Sequence, residues 1–351
     1  MEVEYSVQTW QAKVYYGQTL QELTKKIPVD HQLIVFTTPK LYEKFADRIT
    51  KWYNTQTVSF YIMPQALYQN NLEELSQIIY FLRQFDTKLP MVWIAFGSES
   101  VVSLISFLSV HGEYEVQLYS VHHTIQSFVT ALFPTKEIVA KAQVSLHTET
   151  IPKRIGYVQL NQQYSTAERM IDLAILIKYG YLTNRELLEH IFQTYQTPEQ
   201  LATIPMTPFI DHVVLATSHH AKHVQQYERL FERAFYTIDG GHLLSANMKR
   251  FLGLFFHLVW DLLNLDEQEM CHRLFQWFQQ LGYPVYLPKG LVLADYFIQV
   301  EDDLKQQNQL IRMTAIGQVA SVSIDVTNSK LADILDYYQQ EVKGAHEDER
   351  K

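Results

Sequence analysis

The chain has 351 residues, 47% hydrophobic and 19% charged, with a formal net charge of −9 and one cysteine. That length points to two domains; the acidic balance without a basic patch argues against nucleic acid as a partner; and one cysteine excludes an intrachain disulfide. The acidic opening MEVEYSVQTW lacks the apolar stretch of a signal peptide, and apolar runs such as FLGLFFHLVW at 251–260 fall short of the roughly twenty residues of a membrane span, so a cytoplasmic protein without membrane contact is expected.

The first half alternates between strand-like and helix-like segments. LIVFTT (33–38) reads as a buried strand and the stretch after Pro39 as a helix; TVSFYIM is a strand, and NLEELSQIIYFLRQF an amphipathic helix. MVWIAF, SVVSLISFLSV and YEVQLYSV then read as strand, helix and strand. Strands separated by helices imply βαβ units and a mostly parallel sheet. Beyond residue 160 the pattern is helical. STAERMIDLAILIKYG has Ser165 as N-cap and Gly180 as expected C-cap, TNRELLEHIFQTY follows, and a long helix is predicted near 210–236. Another helix begins near Ser245, and DEQEMCHRLFQWFQQLGYP stops at Gly282 and Pro284. LIRMTAIGQVASVSI suggests a short strand pair. The expected organisation is an α/β domain over 1–160, a helical domain over 161–343 and a disordered tail over 344–351.

Lys178 stands out inside the apolar stretch MIDLAILIKYGYL. Either its stem packs on apolar neighbours while the ammonium reaches water, or it serves a site; the first is the expectation. His219 and His223 are four apart, a spacing that puts both on one helical face and suits a metal, with His220 or His242 as a third ligand. Surface histidines at that spacing are common, and the bland reading is preferred. His122 and His123 end a strand and are expected to be polar loop residues, while Cys271 on an amphipathic helix is expected to be a buried structural thiol. Glycine is scarce: 12 in the whole chain, with only Gly17, Gly97 and Gly112 in the first 150 residues. That weighs against a glycine-rich phosphate cradle.

The order of these pieces resembles 3-dehydroquinate synthase over nearly the whole chain. The resemblance is carried by IKYGYLTNRELLEHI, by LGYPVYLP with AIGQV, by WIAFGSESVVSLISFLS and by IMPQALYQNNLEEL. It implies a Rossmann-like parallel-sheet domain followed by a helical domain with a cleft between them. It also implies NAD on the first domain, a divalent metal, usually zinc, held by one Glu and two His on the second, and oxidation, phosphate elimination and ring closure of a sugar-acid phosphate. The chain departs from the family at most of the chemical positions. Ile175 stands where the family has its metal-binding Glu, and Leu244 where it has a histidine. The stretch opposite the Gly-His-Thr-x-Gly-His motif, QQYERLFERAFY, has no histidine. The triple glycine of the NAD loop becomes Gly97, Ser98 and Glu99, and the Asp after it becomes Ser103. The Gly-Glu-x-x-Lys segment becomes Ala66, Leu67, Tyr68, Gln69 and Asn70; a Gly-Lys-Asn becomes Ala142, Gln143 and Val144; SFVTALFPT replaces a glycine- and lysine-bearing signature. Glu301 and Asp302 face an Asp-Lys-Lys segment. Lys178 is the main retained site residue.

The expectation is thus a degenerate homologue without NAD, zinc or cyclase activity. It would act as a binding, regulatory or scaffold protein, as a homodimer or a heteromer with an active relative. Two alternatives stay open: a divergent active cyclase that uses NAD and zinc at a relocated site of His219, His223 and His242, or a non-catalytic sensor of a shikimate-like acid.

Overall fold

The computed structural model describes residues 1–27, 32–53, 57–64, 70–139, 145–160, 165–323 and 331–348. The chain forms two compact units, one from 1–168 with 205–221 and the other from 169–204 with 222–351.

In the first unit the elements run β1 (Glu2–Val7), β2 (Trp10–Tyr16), α1 (Leu20–Thr24), β3 (Gln32–Thr37), α2 (Pro39–Trp52), β4 (Val58–Ile62) and α3 (Leu72–Leu82). They continue with β5 (Met91–Phe96), α4 (Glu99–His111), β6 (Val116–His122), α5 (Ile125–Leu132), β7 (Thr135–Val139), β8 (Ser145–Glu149) and β9 (Arg154–Tyr157). Seven strands make one sheet in the order β1-β2-β9-β6-β5-β3-β4. All neighbours are parallel except β1, which pairs antiparallel with β2. Strands covered on both faces need side chains that are apolar throughout, and MVWIAF in β5 is buried at every position. Val35, Ile94, Phe96 and Val121 pack with Leu41, Phe45 and Ile49 of α2. The predicted parallel sheet is observed. The β1–β2 hairpin and β9 extend it beyond what the sequence pattern suggested, and α5 and the separate antiparallel pair β7–β8 are further elements of the unit.

The segment 205–221 joins this unit through polar contacts. Tyr16 donates its hydroxyl to the Asp211 carboxylate, and Thr207 Oγ1 donates to Gln159 Oε1 at 2.8 Å.

The second unit begins within α6 (Thr166–Thr183) and continues through α7 (Arg185–Thr194) and α8 (Pro198–Thr203). It resumes in α9 (Ile210–Gln226), α10 (Arg229–Thr237), α11 (Ala246–Asn264), α12 (Gln268–Gln280) and α13 (Leu293–Lys305), and ends with the hairpin β10 (Gln309–Ala315), β11 (Gln318–Ser323) and helix α14 (Leu331–Asp348). Ser165 opens α6 as expected: its hydroxyl accepts from Glu168 N at 3.2 Å while Glu168 Oε2 accepts from Ser165 N at 2.8 Å, a reciprocal capping box.

Three expectations about the helices are corrected. Helix α6 does not end at Gly180 but runs to Thr183. Gly180 is there for packing: a Cβ would lie 2.8 Å from Leu188 Cβ and 2.9 Å from its Cα, so α7 can approach only a bare position. The single helix expected over 210–236 is two, with a non-helical residue at His220 inside α9 and a turn at Tyr227–Glu228 before α10. The Tyr227 carbonyl there accepts from His257 Nδ1 at 2.7 Å. The expected tail from 344 is helical as far as Asp348, because α14 is anchored upstream by buried Leu331, Ile334 and Tyr338.

Two predictions follow from this packing. Gly253 of α11 faces α10 so closely that a Cβ would lie 2.6 Å from Glu232 N and 2.7 Å from its Cα, both backbone atoms. Gly253→Ala should therefore cost about 1–3 kcal/mol, as overpacking does, measurable by urea denaturation. Lys136 is fully buried, its ammonium nitrogen donating to the Phe133 carbonyl, and burial pushes it down to about 7 from its ordinary 10.5. The native state then stays neutral while the unfolded chain takes up a proton, so stability should rise as pH climbs from about 7 toward 10.5 and be flat in this respect below pH 7. Denaturation across that window should show the slope in the native sequence and lose it in Lys136→Met.

Candidate functional site

The retained lysine has a partner that the sequence did not announce. Lys178 lies in the buried stretch of α6 and is only 5% exposed, so its ammonium does not reach water as expected. It donates instead to both oxygens of Glu228, at 2.8 and 3.1 Å, across fifty positions of sequence. Glu228 sits in the turn between α9 and α10. The pair is internal charge balance: an ammonium held by two carboxylate oxygens has little left for a substrate.

Around that turn lies a polar knot centred on Asp261 of α11, which is fully buried. Its carboxylate accepts from Tyr227 Oη at 2.7 Å, from Met313 N at 2.7 Å and from Arg312 Nε. Burial pushes Asp261 above the usual carboxylate range, against the pull of Arg312, Tyr227 and the Met313 amide. Burial also holds the Tyr227 phenol well above its usual value, with the Asp261 carboxylate adding to the effect. His257 stacks on Tyr227 at 3.9 Å between ring centroids and 3° between planes. Its Nδ1 faces the Tyr227 carbonyl and must carry the proton, because a carbonyl only accepts. Burial and then Arg312 hold His257 well below its usual value, so the ring is neutral and its approach to Asp261 at 3.9 Å is no ion pair. The Arg312 guanidinium lies 3.9 Å over Trp260.

The implied metal does not fit the positions that the family resemblance assigns to it. Ile175 and Leu244 are buried alkyl side chains and have no lone pair to give. The stretch opposite the histidine motif carries Arg229 and Arg233, four apart on α10 and both cationic. Of the relocated candidates, His219 is exposed, with Nδ1 2.9 Å from both Ser218 Oγ and Leu215 O. His223 Nε2 lies 3.4 Å from Ser321 Oγ, and burial followed by Lys222 lowers its pKa. His242 is exposed in a short 3-10 turn. The break at His220 removes the unbroken helix on which the four-residue spacing relied. Among the described residues no three His, Cys, Asp or Glu side chains are grouped to hold a metal.

The nucleotide position fares similarly. Gly97 ends the turn from β5 into α4, where a Cβ would meet Val101 Cγ2 at 2.9 Å, so its glycine is needed for packing within the unit. Ser98 is the N-cap of α4 without a side-chain hydrogen bond, and Glu99 puts a carboxylate in the first turn. A pyrophosphate needs bare N–H groups at such a helix end, and a carboxylate there repels it. Ser103 is buried within α4. Asn70 Nδ2 donates to the Glu137 carbonyl at 2.7 Å; Ala66, Leu67, Tyr68, Gln69, Ala142, Gln143 and Val144 lie outside the described residues. Glu301 and Asp302 on α13 both pair with Lys305, at 2.9 and 3.1 Å.

His122 and His123 are corrected from loop residues to buried ones. His122 is the last residue of β6, a central strand, and burial, with His123 and Lys136 nearby, pushes it down to about 3. His123 Nε2 lies 3.7 Å from Glu168 Oε1. Cys271 is buried as expected, its thiol pushed up to about 12 by burial and then by Glu341 and Glu267.

With this geometry in place, comparison with solved structures fixes the class: a dehydroquinate-synthase-like fold, shared with sugar phosphate cyclases and with glycerol dehydrogenases. A 2-deoxy-scyllo-inosose synthase solved with carbaglucose-6-phosphate, NAD+ and Co2+ superposes with a TM-score of 0.74 at 11% identity, over 95% of this chain and 99% of that one. The 2-epi-5-epi-valiolone synthase of Streptomyces hygroscopicus subsp. jinggangensis 5008, with NAD+ and Zn2+ bound, gives 0.75 at 10% identity over 95% and 98%. Glycerol dehydrogenase from Schizosaccharomyces pombe gives 0.65 at 12% identity over 98% and 95%. The sequence matches no protein-family model, and a search of curated proteins finds no match to it. At these identities the likeness is one of fold. Among the described residues no helix is long and apolar enough to cross a membrane.

A buried pair broken on one side leaves a stranded charge. Lys178→Met or Glu228→Leu alone should cost about 3–5 kcal/mol, whereas the double variant Lys178→Met with Glu228→Leu should recover most of that loss. Denaturant unfolding of the four proteins in this cycle reads the coupling directly.

Proposed function

We propose that this chain is a dehydroquinate-synthase-like protein that has given up NAD- and metal-dependent cyclisation and works by binding. Its role is regulatory or scaffolding, as a homodimer or in a heteromer with an active relative. The observation that carries the reading is the Lys178–Glu228 pair, in which the one retained site lysine is spent on internal charge balance at 2.8 Å. The buried alkyl groups of Ile175 and Leu244 support it, as does the Glu99 carboxylate at the start of α4. A Lewis acid needs donor atoms and a dinucleotide needs unobstructed amides, and the residues at these positions supply neither.

The test is elemental analysis of the purified protein followed by calorimetric titration with NAD, with and without added zinc. The proposal expects no stoichiometric metal and no saturable heat. Stoichiometric metal together with micromolar NAD binding would reverse it and direct attention to His219, His223 and His242.

A further inference from the structure

A polar groove of about 210 Å³ lies in the second unit beside the Asp261 knot. Its walls are Gln226 at the end of α9, Arg229, Leu230 and Arg233 on α10, and Gln307, Gln309, Leu310 and Ile311 leading into β10. Two cations and three amides line it, with no carboxylate, in a chain whose net charge is −9. Arg229 and Arg233 are four residues apart on an unbroken helix and so present their guanidinium groups on one face. The opposite face, Phe231, Ala234 and Phe235, is in the core. Glu232, between the two arginines, lies 3.8 Å from Arg250, and Glu228 is held by Lys178. Arg233 enters no ion pair among the described residues.

We propose that this groove binds a small, hydroxylated organic oxyanion without a metal. Guanidinium forks match the paired oxygens of carboxylate or phosphate. The amides of Gln226, Gln307 and Gln309 donate and accept, as needed for hydroxyls on the same molecule. The walls are set before a ligand arrives. Asp261 holds β10 through Met313 N and Arg312, and His257 fixes the turn at Tyr227, the residue after Gln226 and two before Arg229. A site clamped in this way loses little ordering entropy on binding. The inference goes beyond the proposed loss of catalysis and does not depend on it, since neither NAD nor a metal ion takes part.

The experiment is calorimetric titration of the full chain in EDTA, at constant ionic strength, with L-malate, inorganic phosphate and neutral glycerol as probes. Malate or phosphate should bind saturably and glycerol should not; which anion binds tells carboxylate from phosphate recognition. Arg233→Gln should weaken that binding about tenfold or more, the worth of a charged hydrogen bond, with Arg233→Lys between the two. The ligand-free Tm of these variants should be unchanged, because Arg233 is exposed. Arg273→Gln, which removes an exposed cation of α12, serves as the control for bulk charge and should leave binding intact. Failure of both anions to bind would overturn the proposal, as would equal weakening by Arg233→Gln and Arg273→Gln. An NAD or zinc titration that succeeded would contradict the proposed function while leaving this result standing.

Discussion

A lysine ammonium taken out of water needs a counter-charge close by, because the desolvation cost of several kcal/mol is otherwise unmet. Lys178 is buried on the long first helix of the second unit, and Glu228 is the group that meets it. Much of the neighbouring structure serves to put that carboxylate there. Glu228 lies in the turn that separates α9 from α10. The turn is held by His257 on the Tyr227 carbonyl and by Tyr227 on Asp261, and Asp261 in turn holds the β10 hairpin through Met313 and Arg312. Gly253 lets α11 come close enough to α10 for these contacts. A buried ion pair contributes little net stability compared with an apolar replacement; its effect is that neither partner can be changed alone.

The parallel sheet was legible because its strands are apolar on both faces. LIVFTT and MVWIAF read as buried strands without any tertiary knowledge, and the helices between them carry capping residues and amphipathic periods. The β1–β2 hairpin is hard to see in the sequence although its burial alternates, because Glu2, Glu4, Gln11 and Lys13 make the strands look like a polar surface segment. Gly180 has the look of a helix stop, yet a glycine inside a helix marks a close neighbour equally well, and only the position of Leu188 tells the two apart.

The site was legible in what it lacks, less so in what it contains. That Ile175 and Leu244 cannot ligate a metal follows from their chemistry alone. The partner of Lys178 could not be found, since fifty residues separate it from Glu228 and neither carries a local signature. One signal was available: His257 and Asp261 lie four apart within FFHLVWDLL, a segment of α11 otherwise apolar, and such a pair on a core face must be satisfied internally. Recognising it would have located the knot, though not Arg312 or Tyr227. The histidine spacing at 219 and 223 would suit a metal only on a continuous helix, and the non-helical residue at His220 interrupts it.

The account rests on Lys178 being a structural cation and not one available to a ligand, and amine acylation of the native protein measures this directly. Brief treatment with acetic anhydride, followed by peptide mass spectrometry, should modify exposed lysines such as Lys44, Lys51 and Lys305 while leaving Lys178 unmodified until the chain is unfolded. Acylation of Lys178 at the rate of those surface lysines, in protein that remains folded, would contradict the account.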